Sequence, residues 1–212
     1  SSPAGNDLPF DTSQCEQGRN FTNKMWNAFR LIKSWEVQDF EQPEHSRVGL
    51  EWFSSKFSET LVSINHNFDE FRISDSLMST YKLVWDDFCS SLLEIIKPGY
   101  QQPIDKTTFS QVVEHFENIL KLVHPFTPFI AEEIWHLINE RKDGDDVIIA
   151  EWPKVGEINT SLLETMSQTD SVVSEIRTVR KNNNIAHKTA IEIQVKVNSC
   201  LLYTSDAADE ED

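Results

Sequence analysis

The residues best suited to chemistry in this sequence lie together in the stretch 19–31. Arg19, Asn23, Trp26, Asn27 and Arg30, with Asn20, Lys24 and Leu31 beside them, recur at steps of three and four. That spacing sets them along one side of a helix. Arg and Lys contact phosphates, Asn offers a donor and an acceptor to a base edge, and Trp and Leu give surface to an unstacked base. The same residues would also make an ordinary solvated helix face, and the pattern alone leaves the two readings even. A second basic cluster, Arg177, Arg180, Lys181 and Lys188, has no acid around it between Ile176 and Ala190. It reads as a solvated face or as a contact to the outer part of a large RNA.

Other chemistries find less support. Glu133 and His136 form a Glu-x-x-His, a motif that ligates di-iron centres in helical bundles, but that chemistry needs a second such motif and two further Glu. The sequence has only the one, so Glu132, Glu133 and His136 read as surface or RNA-facing groups. Asp86 and Asp87 are adjacent and point in different directions on a helix, which suits solvated carboxylates better than paired acid–base work. The 6 glycines are unclustered, so no phosphate-cradling loop is present, and no nucleophile elbow or metal-ligand spacing appears. The chain itself therefore reads as a binding element without catalytic, cofactor or metal residues.

Composition sets the frame. A length of 212 residues with 13 Phe and 6 Trp is enough to build a sizeable core. The 3 cysteines, Cys15, Cys89 and Cys200, are widely spaced, which argues against a disulfide framework or structural zinc and fits a reducing, cytoplasmic setting. No apolar run is long enough for a membrane span and no signal peptide is visible, and the start without Met suggests a fragment. A net charge of −16 speaks against nucleic acid only on average. Asp206, Asp209, Glu210, Glu211 and Asp212 crowd the end of the chain, and one basic face on an acidic body suffices for RNA.

The elements that must position the polar arc are helices. Residues 1–11 read as a linker. A first helix over 12–35 sets Phe21, Met25, Ala28, Phe29 and Ile32 on its apolar face. A second, 48–71, carries Phe53, Phe57, Leu61, Ile64, Phe68 and Phe71. A third, 74–96, carries Leu77, Tyr81, Val84, Phe88, Leu92 and Ile95 and ends at Pro98-Gly99. A fourth spans 108–122, and a fifth follows with Thr127 as N-cap and Pro128 at its first position. Together, 12–142 predict a mainly α, antiparallel helical bundle. From 143 to 198 the character changes: a β-like run at 147–150, a helix over 160–181, and an alternating strand over 189–197 suggest the start of a small α/β appendage. Residues 199–212 resemble a non-native acidic tail.

The motifs themselves are familiar. Gly5-Asn6-Asp7-Leu8 followed by Gly18-Arg19-Asn20-Phe21-Thr22-Asn23-Lys24-Met25-Trp26-Asn27-Ala28-Phe29-Arg30 closely resembles the anticodon-binding region of valyl-tRNA synthetases, which belong to the class I aminoacyl-tRNA synthetases. Trp85-Asp86-Asp87-Phe88-Cys89, Leu93-Glu94-Ile95-Ile96-Lys97-Pro98 and Leu122-Val123-His124-Pro125-Phe126-Thr127-Pro128-Phe129-Ile130 are similar to the same family, as are Glu132-Glu133-Ile134-Trp135 and Ile176-Arg177-Thr178-Val179-Arg180. The resemblance runs in order over about 1–197. It implies recognition of the anticodon of tRNA(Val) through Lys24 and the residues around Asn27 to Leu31. At Leu31, a family member can instead carry an aromatic. It further implies that 1–11 follow the ATP-site lysine loop of a catalytic domain. ATP and Mg, the editing domain and a C-terminal coiled coil would belong to the rest of a valine–tRNA ligase, which would be the catalytic protein. The open alternatives are the equivalent domain of an isoleucyl- or leucyl-type synthetase and a helical protein–protein module.

Overall fold

The computed structural model describes residues 12–186 and 189–192. They fall into two compact units divided between Ser167 and Gln168, later than the change of character at 142.

The first unit is a mainly α-helical bundle. Helix α1, Thr12–Lys33, buries the apolar face that its spacing predicts: Phe21, Met25, Ala28, Phe29 and Ile32 are all in the core. Arg30 and Lys33 occupy its last turn, where positive charge suits the carbonyl end of the helix dipole. Helix α2, Glu44–Asp69, buries Phe53, Phe57, Leu61 and Ile64. Gly49 lets this helix come close to its neighbour, since a Cβ there would lie 2.8 Å from Cγ2 of Ile95. Phe71 does not extend the apolar face. The helix stops at Asp69, Phe71 takes the left-handed region with φ 56°, and its ring is 87% exposed.

The third predicted helix forms in three continuous pieces: α3, Ile73–Lys82, a π-helical stretch, Leu83–Leu92, and α4, Leu93–Ile96. The wider π turn steps the buried positions along Leu83, Val84, Phe88, Cys89, Leu92, Leu93 and Ile96. Two hydroxyls follow the same five-residue register: Ser90 Oγ donates to the carbonyl of Trp85 (2.7 Å) and Ser91 Oγ to that of Asp86 (3.0 Å). Lys97 leaves the helix with extended ψ, as a residue before proline must.

Two short strands went unread in the sequence because two residues carry no periodicity. β1, Val37–Gln38, pairs in parallel with β2, Ile104–Asp105, in the register Val37↔Ile104 and Gln38↔Asp105. Asp105 then caps helix α5, Lys106–Val123, its Oδ1 accepting from the Thr108 amide at 2.8 Å. Helix α6, Pro128–Ile138, begins on proline as expected. The Thr127 side chain does not cap it. Its hydroxyl instead donates back to the carbonyl of Val123 at 3.2 Å.

Helix α1 packs on α6 and the π-helical stretch, and α2 packs on α3, the π-helical stretch and α5. The β-like run at 147–150 is a 3-10 turn, Val147–Ile149, with only Val147 buried. Beyond it the chain is strapped to α2. Trp152 Nε1 donates to Asn65 Oδ1 (2.9 Å), the Gly156 amide to Ser58 Oγ (3.1 Å), and the Asn159 amide to Ser55 Oγ (3.1 Å). Helix α7, Thr160–Asn182, buries none of its residues fully, though Leu162, Leu163 and Met166 pack against the core. Of the strand expected over 189–197, residues 193–197 lie outside the described residues and 189–192 are irregular. The linker 1–11 and the tail 199–212 also lie outside them. Among the described residues, no helix is long and apolar enough to cross a membrane.

Candidate nucleic-acid interface

The apolar face of α1 decides what its other face can do. With Phe21, Met25, Phe29 and Ile32 anchored in the core, Arg19, Asn20, Asn23, Asn27, Arg30 and Leu31 are left exposed and Lys24 half-exposed. They form two neighbouring rows, Asn20–Lys24–Asn27–Leu31 and Arg19–Asn23–Arg30. At 1.5 Å per residue the first row is roughly 16 Å long, more than three nucleotides stacked at about 3.4 Å need. Arg19 and Arg30 form no ion pair with an acid among the described residues, so their charge is available to an incoming phosphate. The polar row thus presents cations, amides and one aliphatic side chain together.

Trp26 is the exception to the expected arc. It is half-buried, packs against the core and lies 5.2 Å from the Phe29 ring. The aromatic surface at this face comes instead from the third helix. Tyr81 stacks on Phe21 (5.3 Å between centroids, 28°) and on Trp85 (5.6 Å, 12°). The Lys24 ammonium sits 5.3 Å over the Trp85 ring, within cation–π reach. Tyr81, which its spacing alone would put in the core, and Trp85 are therefore neighbours of the polar row. Their i,i+4 aromatic spacing was the one available signal. Lys24 also approaches Cys89, whose thiol burial pushes up to about 12 while the ammonium acts in the opposite sense. Such a thiol stays protonated and inert.

The second basic cluster lies in the second unit. Arg177 and Lys181 are exposed at the end of α7, and Lys188 lies outside the described residues. Arg180 is engaged locally: Nη1 donates to the carbonyl of Ala186 (2.8 Å) and Nη2 to that of Thr189 (2.9 Å). Asn184, at φ 52°, turns the chain out of the helix, a place where asparagine tolerates the left-handed region. Arg180 thus has a structural task besides any contact with a ligand.

On α6 the carboxylate beside His136 is Glu132, at 3.2 Å, and not Glu133. Asp146 joins it from the following loop, its Oδ1 3.0 Å from Nε2. Of the adjacent acids on the π-helical stretch, Asp86 is exposed and Asp87 half-buried.

The family model described as "Anticodon-binding domain of tRNA ligase" matches residues 51–196. A valine–tRNA ligase of Parabacteroides distasonis is 45% identical over 91% of this chain and 22% of its own length. That of Christiangramia forsetii is 45% identical over 97% of this chain, which takes in α1, and 24% of its own length. That of Phocaeicola vulgatus is 47% identical over 91% of this chain and 22% of its own length. The chain thus spans about a fifth to a quarter of the curated relatives it matches.

Proposed function

This chain belongs to the anticodon-binding domains of tRNA ligases, and from that premise we propose that it binds tRNA(Val) at the anticodon through the open face of α1. The observation that carries the reading is the α1 row itself. Arg19, Lys24 and Arg30 hold backbone phosphates, Asn20, Asn23 and Asn27 meet base edges, and Leu31 lies against an unstacked base. Arg177, Arg180 and Lys181 add phosphate contacts from the second unit. The valine assignment follows the relatives named above. In the whole protein the rest of the chain would attach valine using ATP and Mg. The anticodon contacts would then orient the tRNA so that its acceptor end reaches that chemistry, a contribution of positioning.

Lys24 and Arg30 lie off the buried face, so Lys24→Ala with Arg30→Ala should weaken binding to valine tRNA without loss of helicity. Each phosphate that goes unneutralised should flatten the slope of log affinity against log salt by about 0.7. Fluorescence anisotropy across a salt series, with circular dichroism on the same samples, reads both quantities. Unchanged affinity and slope in a fully helical variant would remove these two residues from the interface.

A further inference from the structure

We propose that Glu132, His136 and Asp146 form a binding site for a divalent first-row transition ion, zinc by its donor set. Helix α6 sets Glu132 and His136 one turn apart, with Oε1 3.2 Å from Nε2. Asp146, the residue before the 3-10 turn, brings Oδ1 to 3.0 Å from the same nitrogen. All three donor atoms lie within 4.8 Å of one another. Zinc bonded at about 2.0–2.2 Å in a tetrahedron separates its donors by about 3.3–3.6 Å, close to the two spacings that meet at Nε2. The arrangement also has a problem that a cation solves. Two carboxylate oxygens converge on one imidazole nitrogen, which carries one proton at most. A metal at that point would satisfy all three lone pairs.

The surroundings hold the donors in place. Glu132 Oε1 accepts from the Val147 amide at 2.9 Å, and His124 Nε2 lies 3.6 Å from Oε2 of the same carboxylate. Trp135 Nε1 donates to the carbonyl of Asp145 (2.9 Å) and Arg141 Nε to the carbonyl of Trp135 (2.7 Å). The Arg141 guanidinium covers the Trp135 ring at 3.4 Å and pairs with Glu117. The segment carrying Asp146 is therefore fixed to α6 before any ion arrives. A hollow of about 340 Å³ beside His124, Glu132 and His136 also receives Glu133. The hollow opens beside two of the three donors, Glu132 and His136, where a solvent ligand can take the fourth position. An imidazole with carboxylates suits zinc and its neighbours, whereas magnesium and calcium take oxygen ligands throughout. This acidic corner attracts cations and repels phosphate, so it is separate in kind from the α1 face. A bound ion would join the loop ahead of Val147 to α6.

The test uses the whole chain with Cys15→Ser and Cys200→Ser, so that neither thiol competes, stripped with chelator and titrated calorimetrically with zinc alone. Expected are one zinc per chain, a rise in melting temperature, and no comparable response to magnesium. His136→Ala and Asp146→Asn should abolish the uptake, His124→Gln should weaken it by about tenfold as an orienting partner, and Glu133→Gln should leave it intact. Asp146 is a half-buried loop residue, and Asn keeps its size, so its variant keeps the test valid even if His136→Ala folds poorly. No uptake by the parent chain, or equal uptake by the parent and Asp146→Asn, would overturn the proposal.

Discussion

Replacing Phe53 by Ala should lower the stability of the bundle by about 3–5 kcal/mol. Phe53 is fully buried at the meeting point of α2, the π-helical stretch and α5. Its ring centroid lies 5.5 Å from that of Phe88 and 5.1 Å from the His115 ring, with Trp52 and Phe57 further along its own helix. Truncation removes the transfer energy of the ring, leaves a cavity that packed aromatics cannot collapse into, and breaks ring pairs worth about 0.5–1.5 kcal/mol each. Phe71→Ala is the matched control: its ring is 87% exposed, and the change should stay within about 0.5 kcal/mol. Urea denaturation of both variants checks the pair. Equal midpoints for the two would mean that α2 does not place Phe53 in the core.

Stability should also fall below neutral pH because of His115. Burial pushes its imidazole down to about 4. One edge of the ring packs on Phe53, and Nε2 lies 3.1 Å from the Ser54 hydroxyl. The unfolded chain takes up a proton near the ordinary value of about 6.5, while the folded chain resists until about 4. The unfolded state therefore binds more protons between these values, and stability drops as pH falls through that window, by at most about 3 kcal/mol at 1.36 kcal/mol per unit. Above about 6.5 the site costs nothing. Carboxylates titrate in the lower part of the same window, so the measurement is a comparison. His115→Gln, which keeps a hydrogen-bonding group for Ser54, should show a shallower loss of stability from pH 7 to pH 4.5. Parallel pH profiles for the two chains would show that His115 takes up its proton as readily folded as unfolded.

The polar face of α1 was legible in the sequence because its opposite face is strict. Phe21, Met25, Ala28, Phe29 and Ile32 repeat at helical spacing, and once they are buried the exposure of Asn20, Asn23, Asn27 and Arg30 follows. Trp26 was misread since it lies at the edge of that stripe, where a large ring folds over onto Phe29. The π-helical stretch was not legible, because its five-residue register depends on backbone bonding and on Ser90 and Ser91 turning back to carbonyls, while its apolar residues still satisfy a 3.6-residue pattern approximately. The placement of Trp85 beside Lys24 depends on how two helices dock, which one helix's periodicity does not contain. The same holds at α6. Sequence singled out Glu133 through a motif, whereas the fold chose Glu132 by bringing Asp146 and the Val147 amide to it. Phe71 matched the apolar spacing of α2 but fell two residues beyond the point where the helix ends.

The central claim is that the α1 face reads an anticodon. Its most direct test is the affinity of this chain for valine tRNA against the same tRNA with its two discriminating anticodon bases changed, each at two salt concentrations. The account predicts binding to the unaltered tRNA tighter by at least about tenfold, since each base contact contributes about 1–3 kcal/mol of discrimination, with both affinities falling as salt rises. Equal affinity for the two tRNAs at either salt concentration would contradict it.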